Sequence, residues 1–382
     1  MSIAEAQVAA KAWPFSRADV ALVVGSFVLS RLALLIVGVV TLVVSTPPDA
    51  PLYITDLYLQ WDGHWYVSIA DSGYSTAEPM WPGQTNYAFY PLYPLLMGLL
   101  ATVTGISTAI AGVLISNASF LAALFVLFAL AERWSGDKAV SRLAVMLLCV
   151  VPEGFIFSIV YTESLFLLLT MASVLLFERR QHFLAGVCAG LSSATRSNGI
   201  FIVIYFALAV FRERGIRGGL AFWREPERYL PIAMAPIGLF AFWWMSMLTV
   251  GDAFAQKSTV LHGWPWTTDR PWMNMVHHLT SGDPRDAFLL LASAAIFVAS
   301  LTLLRRSTWP LFAYCAVNFL LYWSGTSSNS LLRYAIALFP IYFGVALVLA
   351  HRRVVARGLL AAGFIGGMAM MVPWVLHSTW AL

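Results

Sequence analysis

Residues 20–45 read VALVVGSFVLSRLALLIVGVVTLVVS, a run apolar and long enough to cross a bilayer, which takes about 20 helical residues. The run is too long for the core of a secretory signal, and no small-residue cleavage pattern follows it, so we expect an uncleaved span. Of the 382 residues, 60% are hydrophobic and 11% are charged. Soluble domains carry about 25% charged residues. The composition therefore predicts a polytopic membrane protein rather than a globular enzyme with one membrane anchor.

Similar apolar runs recur to the end of the chain, separated by short polar loops. The predicted spans are 20–45, 108–131, 142–160, 163–178, 183–196, 198–211, 230–250, 287–304, 308–323, 334–350 and 358–376. The short runs 183–196 and 198–211 either cross separately or form one long helix. Separate crossings, with the N-terminus inside, place 17 of the 23 basic residues in inside loops, as the positive-inside rule requires. We therefore predict one integral membrane domain, 1–382, with a cytoplasmic tail 1–19 and about eleven transmembrane helices.

This topology leaves two long outer loops, 46–107 and 251–286. The first contains Gln-Trp-Asp-Gly-His-Trp-Tyr at residues 60–66. Its segments 56–71 and 89–104 are predicted to be helices that lie in the membrane interface. Trp and Tyr favour that interface, but an acid gains nothing there unless it pairs or reacts. Asp62 is therefore the first candidate for a catalytic residue.

Other polar residues occur where apolar runs begin or end on the outer side. Glu163 starts a span, either as a carboxylate favoured by the helix dipole or as a site residue. Arg196, with Asn198, lies between the two short spans and needs either a carboxylate partner or an anionic ligand. Arg333 starts a span with few acids near it in sequence, which predicts a phosphate ligand. Lys257 is a further outer cation.

Motifs for nucleotide or metal binding are missing from the sequence. It contains no Asp-x-Asp, P-loop, dinucleotide fingerprint or His-x-x-x-His pattern, and its three cysteines all fall inside predicted spans. No cofactor is therefore evident, no metal ligands are assigned, and no nucleic-acid partner is expected. Loop carboxylates such as Asp56 and Glu78 could still hold a divalent cation without a motif.

These residues resemble the PIG-V family, the GPI mannosyltransferase 2 group with its bacterial relatives, in the GT-C class of glycosyltransferases. The resemblance runs in order from about residue 20 to residue 345. The matching blocks are Gln60–Tyr66 with Ile69–Tyr74, Ala88–Leu95, Ser158–Phe166, Ala194–Gly199, Gly251–Phe254 with Gln256, and Leu332–Tyr334 with Phe339–Pro340. GPI anchors are eukaryotic and this chain is compact, so it resembles the bacterial branch, and the acceptor stays open.

The resemblance implies an all-α, GT-C-like enzyme in a bacterial plasma membrane, with its active site facing outside among the membrane lipids. It implies inverting transfer of mannose from polyprenyl-phosphate-mannose to a lipid-linked or glycan acceptor, with Asp62 as the general base. The expected ligands of the donor phosphate are Arg333, Arg196 and Lys257. The residues expected to bind substrate or support the site are Trp61, His64, Trp65, Tyr66, Glu163, Asn198 and Gln256.

Two other functions remain open from the sequence. A transporter or lipid flippase would place charges near mid-membrane, whereas the charges here gather at the outer ends of the spans and in the outer loops. A membrane scaffold would use the outer loops for docking, but it leaves Asp62 and Arg333 unexplained.

Overall fold

The computed structural model describes residues 15–76, 83–264 and 267–381, and this part of the chain is helical apart from loops and one isolated bridge between Thr268 and Gly325. The helices are α1 (Arg17–Ser45), α2 (Asp62–Ser72), α3 (Leu92–Thr104), α4 (Thr108–Ser135), α5 (Lys138–Cys149), α6 (Glu163–Glu178), α7 (His182–Ser193), α8 (Ile202–Leu220), α9 (Leu230–Met234), α10 (Ile237–Val250), α11 (Ala255–Gly263), α12 (Pro271–Thr280), α13 (Pro284–Ser300), α14 (Trp309–Ser324), α15 (Leu331–Ile336), α16 (Pro340–Leu349) and α17 (Arg353–Val375). Most of the predicted tail, residues 1–14, lies outside the described residues.

Several of these helices are long and apolar enough to cross a membrane, and the all-α membrane fold is confirmed. Within the described residues, four pass that test: α1, α4, Pro284–Leu303 and α17. A fifth span results if Pro226–Met234 and Ile237–Val250, which are bent by 41°, count as one. The predicted number of eleven crossings stays a prediction, since the remaining helices are shorter than a full span.

The arginine-rich loops meet at one end of the helix bundle. Lys138 and Arg142, at the start of α5, both pair with the buried Asp19 of α1. In the same region, Arg133 lies 3.6 Å from Glu178, at the end of α6. The loop after α16 joins them, because His351 contacts Asp137. The chain around residues 19, 133–142, 178 and 351, which was predicted to lie at the inside face, therefore meets at one end of the bundle, which we call the basic end.

The predicted span 142–160 ends earlier than expected, because α5 stops at Cys149 and residues 150–162 form a turn with a short 3-10 helix. Pro152 explains the break: proline cannot donate a backbone hydrogen bond, and it disfavours the helical conformation of the residue before it. Backbone groups released from a helix inside a membrane protein need partners within the protein.

Arg31, in the middle of α1, supplies several of those partners. Its guanidinium donates to the backbone oxygen atoms of Gly154 (2.6 Å) and Cys149 (3.1 Å), and to the hydroxyl of Ser158. The expectation that charges gather only at the outer ends of spans is therefore wrong for Arg31. Its guanidinium holds the turn 150–162 in place.

The predicted helix 56–71 is also interrupted. A 3-10 helix covers Ile54–Leu57, and α2 begins only at Asp62, after Trp61 adopts a φ of 49°. The turn lets the carbonyl of Tyr58 accept a hydrogen bond from the backbone N–H of Val160, at 2.9 Å. The aromatic side of α2 is buried, with Trp65 and Tyr66 only 1% and 7% exposed. The interfacial position of this helix stays a prediction. The other predicted interfacial helix, α3, does expose an apolar stripe, namely Leu95, Leu99 and Val103.

The two short runs in the middle of the chain form separate helices. Between α7 and α8 the chain turns through residues 194–201, partly as a 3-10 helix, Ser197–Phe201. Gly199 allows this turn, because a Cβ at that position would lie 2.5 Å from the backbone carbon of Ser192. The turn lies at the end of the bundle opposite the basic end and brings Arg196 and Asn198 there.

Candidate functional site

A cavity of about 250 Å³ lies at the end of the bundle opposite the basic end. Both long loops that the sequence singled out contribute to its walls, and they contact each other: Gln84 donates to the backbone oxygen of Gly263 at 2.8 Å. The cavity has three kinds of lining. The charged wall is Asp62, Arg196 and Arg333; the aromatic wall is Tyr66, Phe89, Tyr90, Trp264, Tyr322 and Tyr334; and the amide and hydroxyl wall includes Thr162, Thr195, Ser197, Asn198, Gln256, Ser327, Asn329 and Ser330.

Four charged side chains beside the cavity form a continuous chain of ion pairs. Arg196 hydrogen-bonds to Oε1 of Glu163, and Nε of Arg333 lies 3.3 Å from the same oxygen. Nη1 of Arg333 then donates to Oδ2 of Asp62 at 2.9 Å. The order is Arg196–Glu163–Arg333–Asp62, with alternating sign and no net charge. Arg196 therefore has the carboxylate partner that the sequence left open, and it also lines the cavity. An anionic ligand for it stays a prediction.

The local backbone explains how these side chains reach the cavity. Asp62 and Glu163 are each the first residue of a helix, α2 and α6, where the helix dipole favours a carboxylate. Arg333 is carried by the six-residue helix α15, which follows Ser330. Ser330 and Trp61 both have left-handed backbone conformations, with φ of 65° and 49°. Such strained conformations of non-glycine residues concentrate at functional sites.

Two tyrosines that sequence reasoning did not assign to the site hold the guanidinium groups. The ring of Tyr334 has Arg196 at 4.7 Å and Arg333 at 5.1 Å from its centroid. Tyr161 has Arg333 at 5.0 Å, and its hydroxyl accepts a hydrogen bond from the backbone N–H of Asp62. Each cation–π contact contributes about 0.5–2 kcal/mol. The signal was present in the sequence, since both tyrosines are neighbours of motif residues.

Burial changes the proton affinity of several groups around the site. It raises the pKa of Tyr66, and the charges of Glu163 and Asp62 raise it further, so this phenol stays a neutral hydrogen-bond donor. Burial also raises the pKa of Tyr90 to about 12, against a hydrogen bond with Ser197 that lowers it.

One wall of the cavity carries a network of amide and phenol groups. Asn198 donates to the hydroxyl of Tyr322 at 2.8 Å, and that hydroxyl donates to Oδ1 of Asn318 at 3.1 Å. Gln256, at the start of α11, faces the same cavity. Polar groups of this kind can hydrogen-bond to sugar hydroxyls. Nothing in the sequence around Tyr322 or Asn318 marked them, because both belong to the apolar helix α14.

The remaining predicted site residues lie beside the cavity or away from it. Lys257 is exposed on α11 and is not part of the cavity lining. His64 is exposed on α2, and its pKa is lowered by partial burial, against the charge of Asp56. Trp65 is only 1% exposed and packs against Phe89, which places it behind the aromatic wall. Trp61 is half-buried at the start of α2. These four residues therefore do not line the cavity.

A metal site is not evident from the residues available. In residues 15–76, 83–264 and 267–381, no three side chains of His, Cys, Asp or Glu lie close enough to share an ion. Glu78, one of the two loop carboxylates considered for a divalent cation, lies outside the described residues.

The chain matches a known protein family over less than half of its length. Residues 49–216 match the family model described as Mannosyltransferase (PIG-V). The GPI mannosyltransferase 2 of Schizosaccharomyces pombe is 29% identical over 157 residues, which are 40% of this chain and 32% of that protein. The GPI mannosyltransferase 2 of Chaetomium globosum is 30% identical over 208 residues, 50% of this chain and 44% of the relative. The human GPI alpha-1,6-mannosyltransferase 2 is 30% identical over 152 residues, 37% of this chain and 29% of that protein.

The chain thus spans 32% and 44% of the length of the first two of these curated relatives.

Among solved structures, ArnT from Cupriavidus metallidurans superimposes with a TM-score of 0.55 at 14% identity, over 92% of this chain and 65% of that one. Its form bound to undecaprenyl phosphate gives 0.54 at 14% identity, over 94% and 74%. The GT-C fold and the resemblance to the PIG-V family are therefore confirmed.

We predict that Glu163→Gln destabilises the protein, because it leaves two buried guanidinium groups without their shared carboxylate. Removing one partner of a buried ion pair typically costs about 3–5 kcal/mol. The unfolding temperature of the purified protein in detergent, followed by intrinsic fluorescence, measures the effect. The matched control is Glu227→Gln, an exposed glutamate at the basic end. If both variants unfold at the wild-type temperature, Glu163 does not hold the ion-pair chain together.

Proposed function

We propose that the protein moves a mannosyl residue from polyprenyl-phosphate-mannose to a lipid-linked or glycan acceptor, because residues 49–216 match the family model described as Mannosyltransferase (PIG-V). One observation carries the proposal: a carboxylate and two guanidinium groups, Asp62 with Arg196 and Arg333, line one cavity. A base and a pair of cations are what transfer from a sugar phosphate requires.

The choice of a lipid phosphate as donor rests on the fold and on the site. Two proteins that share this fold have been solved with a bound polyprenyl phosphate. ArnT binds undecaprenyl phosphate, and the archaeal AglB from Archaeoglobus fulgidus binds a dolichol-phosphate. Such a donor brings its own leaving group, so the reaction does not need a metal clamp for a nucleotide diphosphate. Arginine suits this role because its planar fork binds two phosphate oxygens at once.

The proposed reaction assigns each charged group one task. The acceptor hydroxyl oxygen attacks the anomeric carbon of the mannose and passes its proton to the carboxylate of Asp62. The bond between that carbon and the phosphate oxygen breaks on the opposite side, which inverts the configuration. The electron pair of that bond stays on the departing phosphate, whose charge Arg333 and Arg196 stabilise. Preorganised donors of this kind are often the largest contribution to catalysis.

The sugar is proposed to occupy the space between the aromatic and the amide walls. Asn198, Gln256 and the hydroxyl of Tyr322 face it with hydrogen-bonding groups, and Tyr66 supplies a neutral phenol. Lys257, exposed on α11, is a candidate only for an approaching lipid phosphate and not for the phosphate in the cavity.

A transporter or flippase is the alternative function, and the contacts of the charged side chains do not favour it. The charged groups beside the cavity are tied to one another in ion pairs, and Arg31, in the middle of a span, is committed to backbone oxygen atoms. A scaffold protein would not need a carboxylate and two arginines around one cavity.

We predict that Asp62→Asn abolishes transfer, because the amide cannot accept the proton of the attacking hydroxyl. General-base catalysis contributes about 10²–10⁴-fold, so the rate should fall at least by the lower figure. The measurement is incorporation of radiolabelled mannose from polyprenyl-phosphate-mannose into the lipid or glycan fraction of membranes. Asp71→Asn, in the exposed last turn of the same helix, is the control and keeps the wild-type rate. Near-normal transfer by Asp62→Asn would remove Asp62 as the base.

We also propose that the cavity faces the non-cytoplasmic side of a bacterial plasma membrane, since it lies opposite the basic end. The test labels single cysteines on intact cells with a membrane-impermeant maleimide, in a background that carries Cys188→Ser. His64→Cys, exposed next to Asp62, should react on intact cells, whereas Arg352→Cys, exposed at the basic end, should react only after permeabilisation. The reverse pattern would contradict the proposed orientation.

A further inference from the structure

Arg333 is shared by two carboxylates whose surroundings differ. Its Nε is 3.3 Å from Glu163, whose side chain is 1% exposed, and its Nη1 is 2.9 Å from Asp62, whose side chain is 23% exposed. Glu163 also pairs with Arg196 and cannot be reached from the cavity. Asp62 forms part of the cavity wall. The contact between Arg333 and Glu163 is therefore closed to a ligand in the cavity, whereas the contact between Arg333 and Asp62 is open to one.

A phosphate and a carboxylate bind a guanidinium in the same way, through oxygen atoms that accept hydrogen bonds from its edge. The edge of Arg333 that carries Nη1 and Nη2 contacts two residues of the cavity lining: Nη1 donates to Asp62, and Nη2 donates to the hydroxyl of Tyr334 at 3.3 Å. The four charges already sum to zero, so an entering phosphate adds a negative charge next to two carboxylates. The phosphate can pair with this edge of Arg333 only if the carboxylate of Asp62 moves away from it.

We propose that the phosphate of the lipid donor displaces Asp62 from Arg333, so that the base is released only when the donor is bound. This inference rests on the proposed function and concerns the control of the same site. Oδ2 of Asp62 already accepts a hydrogen bond from Nη1 of Arg333 at 2.9 Å. This contact therefore competes with the acceptor hydroxyl for the carboxylate, and a donor phosphate that binds Arg333 removes the competition.

The exchange has a measurable cost in affinity. While Asp62 occupies Arg333, only a fraction of the protein offers a free guanidinium edge, and the apparent dissociation constant for the phosphate rises by the inverse of that fraction. Removing the competing carboxylate removes this cost. Asp62→Asn should therefore bind a polyprenyl phosphate more tightly than the wild type, although it transfers nothing.

The experiment measures the Kd of undecaprenyl phosphate for the full-length protein in detergent, without any sugar donor. We expect Asp62→Asn to bind about tenfold more tightly, which corresponds to roughly 1.4 kcal/mol. Asp71→Asn removes the same charge from the same helix away from Arg333 and should bind within about twofold of the wild type. Asp62→Ala serves as the second variant, and unfolding temperatures show that each protein is folded. Equal affinities for the wild type and both Asp62 variants would overturn the proposal.

A double-mutant cycle separates competition at Arg333 from a general effect of charge. In an Arg333→Gln background the gain from Asp62→Asn should vanish, whereas in an Arg196→Gln background, where the guanidinium that contacts Asp62 is intact, it should remain. A gain that survives in Arg333→Gln would contradict the exchange. Binding is measured without transfer, so the outcomes stay distinct. If Asp62→Asn binds more tightly but the wild type transfers no mannose, the proposed function alone is refuted. If the wild type transfers mannose but Asp62→Asn does not bind more tightly, the exchange alone is refuted.

Discussion

The candidate site depends on one interaction, the contact of Glu163 with two guanidinium groups. Glu163 is completely buried at the start of α6, and its Oε1 lies against both Arg196 and Arg333. Burying two like charges side by side is unfavourable unless an opposite charge lies between them. The glutamate therefore allows two cations, Arg196 and Arg333, to line one cavity. The other features of the site follow from that arrangement.

The turn at residues 150–162 is the structural support for this carboxylate. Where a helix breaks inside a membrane protein, its free backbone groups need hydrogen-bond partners from the protein. Arg31 on α1 supplies them for the backbone oxygen atoms of Cys149 and Gly154. On the other side, Ser116 donates to the backbone oxygen of Tyr161 at 3.2 Å. The turn therefore ends in a fixed position, and Glu163 begins α6 from there. A charge in the middle of a span thus contributes to the site indirectly, through the backbone.

The fold could largely be predicted from the sequence, because apolar runs and the distribution of arginines carry most of the information about a membrane bundle. The positions of single breaks could not: Pro152 shortens one predicted span, and the left-handed Trp61 shortens a predicted helix. Asp62 was singled out as an acid among aromatic residues in an outer loop, and Arg196 and Arg333 as charges at the ends of apolar runs. Their pairing was not predictable, because Asp62 and Arg333 are 271 residues apart in the chain. Tyr322 gave no signal, since its hydroxyl matters only through the cavity it faces.

The most direct test of the account is a structure of the full chain with undecaprenyl phosphate bound, at a resolution that places the phosphate oxygens. The account predicts those oxygens within about 3.2 Å of guanidinium nitrogens of both Arg333 and Arg196. It also predicts that Asp62 no longer contacts Arg333, while Glu163 still does. A phosphate bound elsewhere, away from both arginines, would contradict the assignment of this cavity. A phosphate on Arg196 alone, with Asp62 still paired to Arg333, would contradict the exchange that links donor binding to the base.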